Sequence, residues 1–184
     1  MMIKELVDKI KVSDLAPIYF LNDFSKERFA ECRHMADEEQ QLGVYLANTD
    51  IDEYYDLQSK YNPIHLHQVI NDISYLFMVT IRDEKIIYAT YVILHEIGHW
   101  INFKNSGMSS LEYAKWDATF RSDPHKFSEW VRSIPDNHPE KYRYAEEAVK
   151  QYRNIPAEKE ADKYAFNNLK EKLNLLGIKT DKTY

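Results

Sequence analysis

The sequence predicts a helix-rich α+β domain: a small sheet, then one long buried helix, then a run of further helices. Three observations lead there. Only 4 glycines and 6 prolines among 184 residues leave too few turn-formers for an all-β sandwich. ISYLFMVTI (73–81) is rich in β-branched and aromatic residues and reads as the best strand in the chain. After the polar turn RDEK, the segment IIYATYVILHEIGHWINF is apolar nearly all the way round at helical spacing, which marks a central, buried helix over about 85–103. Hydrophobic residues make up 44% and charged ones 29%, as in a folded globular chain. The length fits a single domain over 1–184 with a real core.

Ile3, Leu6, Val7 and Ile10 fall on one helical face, giving a short first helix that ends near Ser13–Pro17. A second helix is predicted from about Asp23 to Leu42, stopped by Gly43. It would carry Cys32 as a small buried hydrophobe, His34 on its exposed face and the acidic run DEEQQ (37–41) as a solvated face. GVYLAN (43–48) suits a short strand, and 50–70 fits no single period. Beyond the long helix, Asn105, Gly107, Pro124 and Pro135 break residues 104–135 into short helical patterns. A helix from about Pro139 to Arg153 follows. The last helix opens at Pro156, stops at Gly177 and turns Ala161, Ala165, Leu169, Leu173 and Leu176 inward.

The net charge of −6 gives no reason to expect nucleic acid or an anionic membrane as partner. A single cysteine rules out an intramolecular disulfide and fits a reducing compartment. The N-terminus lacks a signal-peptide pattern, and no stretch has 18 consecutive apolar residues. The expectation is a soluble, cytoplasmic protein.

Within the long helix, His95, Glu96 and His99 are polar groups set among apolar ones, and burying them is costly unless each finds a partner. Four residues apart, His95 and His99 project from one face and can share a Zn²⁺. Glu96, one step round, stands where a general base for a hydrolytic water is needed. Gly98 would let another element pack close between the two histidines. A third protein ligand is required. Asn102 and Asn105 occupy the last two fixed positions of the longer H-E-x-x-H-x-x-G-x-x-H pattern, which excludes it. The best remaining source is PAEKEADKYA (156–165). There Glu158 and Asp162 share a face beside the small Ala161 and Ala165, Glu158 as ligand and Asp162 as acceptor from a ligating imidazole. Glu160, Glu146, Glu147, His125 and His138 remain rivals.

HEIGH followed by E-x-x-A-D-x-Y-A resembles the ImmA/IrrE family of zinc metallopeptidases and, more broadly, is similar to the gluzincins. The resemblance covers mainly 73–103 and 154–170. It implies a zincin-like domain with His95, His99 and Glu158 as zinc ligands, Glu96 as catalytic base and Asp162 behind the ligands. It also implies a sheet before the active-site helix, with an edge strand that aligns substrate by β-addition. The substrate class it implies is a regulatory, repressor-type protein. The chain departs from the family in the 58 residues between His99 and Glu158, which read as a helical insertion over about 104–153, and in FNNLKEKL after the second motif.

Tyr113, His125, Tyr142 and Tyr144 are candidates to stabilise a tetrahedral oxyanion. Other readings stay open. One is a non-catalytic, zinc-containing protein that binds a partner through its aromatic insertion; another is a hydrolase of a non-peptide amide. His65 and His67, taken as a strand pair, read as ordinary histidines. Tyr113, Trp116, Phe120, Phe127 and Trp130 read as packing of the inserted helices.

Overall fold

The computed structural model describes residues 1–22, 30–35, 41–77 and 83–179. Ile3, Leu6, Val7 and Ile10 are buried along one face of α1 (Ile3–Ile10). Three short strands follow: β1 (Ile18–Leu21), β2 (Ala30–Arg33) and β3 (Gly43–Ala47). β3 lies in the centre, parallel to β1 with Ile18 opposite Val44, and antiparallel to β2 with Ala30 opposite Leu46. All five β3 residues are buried. Gly43 is needed because a Cβ there would stand 2.7 Å from the Pro17 carbonyl oxygen.

The other elements are helices: α2 (Ile51–Tyr61), α3 (Pro63–Phe77), α4 (Glu84–Ser106), α5 (Ser110–Ser133), α6 (Lys141–Arg153) and α7 (Pro156–Leu175). Asp50 caps α2, accepting from the Asp52 amide at 2.8 Å. Ser109 and Glu112 form a reciprocal capping box at the start of α5. Pro156 opens α7, where its missing N–H costs nothing. α4 is the hub, touching α1, α2, α3, α7, β2 and β3. Its buried residues include Ile87, Tyr88, Tyr91, Ile93, Leu94 and Ile97. The arrangement is helix-rich α+β with a small three-stranded sheet. No described helix is long and apolar enough to cross a membrane.

Several expectations are corrected. Ala30–Arg33 is strand, not part of a helix from Asp23 to Leu42, and Gly43 begins β3 instead of ending a helix. Residues 23–29 and 36–40, with most of DEEQQ, lie outside the described residues. Cys32, though half-buried, therefore sits on a strand. Ile73–Phe77 of ISYLFMVTI belongs to α3, since Leu66, Val69, Ile70 and Ile73 continue one buried helical face; residues 78–81 are outside the description. The sheet does precede α4, but its strands come from further upstream. His65 and His67 are on α3, so spacing two separates them: His67 is exposed, while His65 turns inward with Nδ1 3.5 Å from the Tyr88 hydroxyl. Residues 110–133 form one helix despite Pro124, not several short ones.

Candidate metal centre

The site is built where α4 crosses α7, and a glycine sets how close they come. A Cβ on Gly98 would meet the Ala161 Cα and carbonyl oxygen at 2.9 Å. Both contacts are backbone, so an alanine at 98 would require the two helices to part. Ala157, Ala161 and Ala165 are buried along the facing side of α7. One turn apart on α4, His95 and His99 point at Glu158, one turn before Asp162 on α7.

Three ligand-type atoms converge. His95 Nε2 lies 3.1 Å from His99 Nε2 and 3.2 Å from Glu158 Oε2, and His99 Nε2 lies 3.4 Å from the same oxygen. Ligands held tetrahedrally at zinc–nitrogen and zinc–oxygen bond lengths stand about 3.3 Å apart. The triangle is already the right size for one face of such a tetrahedron. Glu158 is 2% exposed and His99 6%. The group His95, His99 and Glu158 could hold a metal ion.

Outer partners orient these side chains. His95 Nδ1 donates to Asp162 Oδ1 at 2.9 Å, which turns Nε2 toward the centre of the triangle. Asp162 also accepts from the Tyr91 hydroxyl and, at 2.9 Å, from Arg153 Nε; Arg153 Nη1 reaches Asp72 at 2.8 Å. Glu158 uses its other oxygen, Oε1, to accept from Arg121 Nη2 at 2.7 Å. That leaves Oε2 to face the histidines. Arg121 is fixed in turn by Asp117. His99 Nδ1 is buried with no hydrogen-bond partner among the described residues.

Glu96 faces β2. Burial holds its carboxyl above the usual range, and the Glu158 charge adds to this against the pull of His99 and His95. Burial and the Glu96 charge together raise the Cys32 thiol well above its ordinary range, so Cys32 is a poor nucleophile. His34 belongs to this site and not to an exposed helix face. Its ring centroid lies 6.5 Å from that of His99 and 4.7 Å from that of Tyr113.

The rivals for the third ligand lie outside the triangle: Glu160 pairs with Lys163, His125 with Glu129, and His138 and Glu147 are exposed. Among the oxyanion candidates, Tyr113 is buried, with its hydroxyl accepting from Asn102 Nδ2 at 3.0 Å. Tyr142 is 60% exposed and Tyr144 packs on Trp130. Tyr152 was not foreseen. It sits beside Arg121 with the residue as a whole 41% exposed, and desolvation around its hydroxyl, followed by the nearby Glu158 charge, pushes its pKa upward. Arg121, Arg153 and Tyr91 were also missed. Tyr91 left a trace, a hydroxyl one turn before His95 in an apolar helix. Arg121, 37 residues from Glu158, left none.

Two histidines are expected to make the metal-free protein acid-sensitive. Burial, aided by positive neighbours, lowers His34 and His65 from 6.5 to about 4. Each is harder to protonate folded than unfolded, so stability should fall as pH drops from about 6.5 towards 4. His95 behaves oppositely. Burial alone would lower it, but its hydrogen bonds to Asp162 and Glu158 raise it to about 10. Its contribution is full below about pH 6.5 and is lost as pH rises through about 10. Thermal unfolding of the metal-free protein from pH 4 to 10 should show a maximum near pH 6.5. A flat profile would mean these histidines are not held as described.

Comparison with family models, curated proteins and solved structures finds no significant match to the chain.

Proposed function

We propose that the chain is a zinc-dependent metallopeptidase that cuts a protein substrate, with His95, His99 and Glu158 as ligands and Glu96 as general base. The observation that carries this reading is the triangle of 3.1, 3.2 and 3.4 Å on the same helix turn as the half-buried carboxylate of Glu96. Zinc bound there would polarise a carbonyl and acidify water. Glu96, with its raised carboxyl pKa, accepts the proton of the attacking water and passes it to the leaving amine. Arg121, 2.7 Å from Glu158, and Tyr152 beside it are donors that suit the developing oxyanion. Asp162 holds His95 in the tautomer that offers Nε2.

The fold proposed is zincin-like. In its favour are an antiparallel β2, an edge of the sheet among the described residues, running beside the HExxH helix, and a following helix that brings the carboxylate. This agrees with the resemblance to the ImmA/IrrE family, so a repressor-type substrate in the cytoplasm is part of the proposal. A half-buried, unpaired Cys32 fits that compartment. A binding module that keeps zinc for structure is the second reading, favoured by Phe120 and Trp130, 42% and 48% exposed on α5.

The test is hydrolysis of an unfolded polypeptide by the zinc-loaded protein, stopped by chelation and restored by zinc. A zinc-replete protein that cuts no polypeptide would refute the peptidase reading.

A further inference from the structure

A groove of ≈ 700 Å³ opens beside the metal centre, between the end of β2, α5 and the junction of α6 with α7. Two of its lining residues tie it to that centre. Arg121 donates to Glu158 at 2.7 Å, and the His34 ring faces His99. Three arginines line it, Arg33, Arg121 and Arg132, and Asp117 is the one acidic lining residue among the described residues. The excess of positive charge is local, because the chain as a whole carries −6.

The charges are not all spent inside the protein. Asp117 pairs with Arg121 through Oδ2, while its Oδ1 is buried with no hydrogen-bond partner among the described residues. Arg33 pairs with Glu31 through Nε and Nη2 and lies with its guanidinium 4.2 Å from the Tyr45 ring centroid. Its Nη1 is nevertheless buried with no hydrogen-bond partner among the described residues. A buried cationic donor without an acceptor is costly to leave so and favours an anionic ligand. Arg132 is exposed and forms no ion pair among the described residues. Two planar guanidinium groups lining one groove, Arg33 from β2 and Arg132 from α5, match a carboxylate, which a guanidinium can bind through paired N–H groups.

Resting on the peptidase reading, we infer that this groove is a carboxylate-recognising subsite, selecting peptides with an acidic side chain or a C-terminal carboxylate close to the bond that is cut. The occupant is part of the substrate chain, and its charge steers the chain onto the metal centre.

The experiment uses zinc-loaded Glu96→Gln protein and three fluorescent peptides of one scaffold. The first carries a central Glu and an amidated end, the second a central Gln and a free carboxylate end, the third a central Gln and an amidated end. Fluorescence anisotropy should show the first or the second binding about tenfold tighter than the third, with the gap closing at high salt. Which of the two is preferred identifies the source of the carboxylate. Adding Arg132→Glu, at an exposed position, should abolish most of the preference, and Arg33→Gln should reduce it, each with the thermal transition retained. Equal affinity for all three peptides, or a preference untouched by both substitutions, would overturn the inference. The same peptides given to the zinc-loaded wild type separate the two ideas. Equal cleavage of all three would sink the subsite and leave the peptidase. Selective binding with no cleavage of any would leave the subsite and sink the peptidase.

Discussion

On the proposed peptidase reading, replacing Glu96 by Gln is expected to lower hydrolysis by about 10²–10⁴-fold, the span that a positioned general base commands, while zinc content and fold stay as they are. The side chain keeps its length and place. What goes is the proton acceptor, because an amide cannot take the proton of the attacking water. Stability should move the other way. Burial makes the Glu96 carboxylate costly to ionise, and a neutral amide avoids that cost. The variant should therefore melt no lower than wild type, and plausible catalytic damage from misfolding is removed from the comparison. Steady-state rates, metal analysis and thermal unfolding on the same preparation decide it. Activity within a few-fold of wild type at equal zinc content would exclude Glu96 as the base.

Truncation of Glu158 to Ala should have the larger effect on metal, and Asp162→Asn supplies the scale. Loss of an outer hydrogen-bond partner costs about 10- to 100-fold in metal affinity, and that is expected for Asp162→Asn. On the proposed zinc reading, Glu158→Ala removes one of three ligands and should weaken zinc binding well beyond that range. It also strips Arg121 Nη2 of its acceptor at 2.7 Å. Removing one partner of a buried pair costs about 3–5 kcal/mol. The lower end applies, since the Arg121 side chain is 35% exposed and water can recover part of the loss. Competition titration with a chelator and denaturant unfolding without metal measure the two effects separately. Zinc held as tightly by Glu158→Ala as by wild type would place the third ligand elsewhere.

Much of this centre was readable because its determinants are local. Tyr91, His95 and His99 are one turn apart on α4, and Glu158 and Asp162 are one turn apart on α7. A helix of 3.6 residues per turn turns such spacings into geometry without help from the rest of the fold. The sheet was harder. Ala30–Arg33 becomes a strand because β3 lies alongside it, and no window of local sequence contains that partner. Ile73–Phe77 shows the reverse error. Its β-branched and aromatic residues suggest a strand, yet Leu66, Val69, Ile70 and Ile73 already define a buried helical face, and burial outweighs propensity. Pro124 misleads in a third way. It lacks the N–H for an intrahelical bond, but the Ser109 cap and the packing of α5 on α6 keep the helix continuous through it. Arg121 and Arg153 reach the site only through tertiary folding, so sequence spacing carries no sign of them.

The crossing of α4 and α7 also orders events in time. α7 follows every other described element in the chain, so a ribosome releases His95 and His99 some sixty residues before Glu158 (63 positions separate His95 from it). At about 5–20 residues per second, the two imidazoles wait for seconds with only part of a chelate. Gly98 and Ala161 must then meet before the carboxylate can reach them. Metal capture at this centre would thus come after α7 has docked, and a nascent chain truncated before residue 158 could not hold the ion through this triangle.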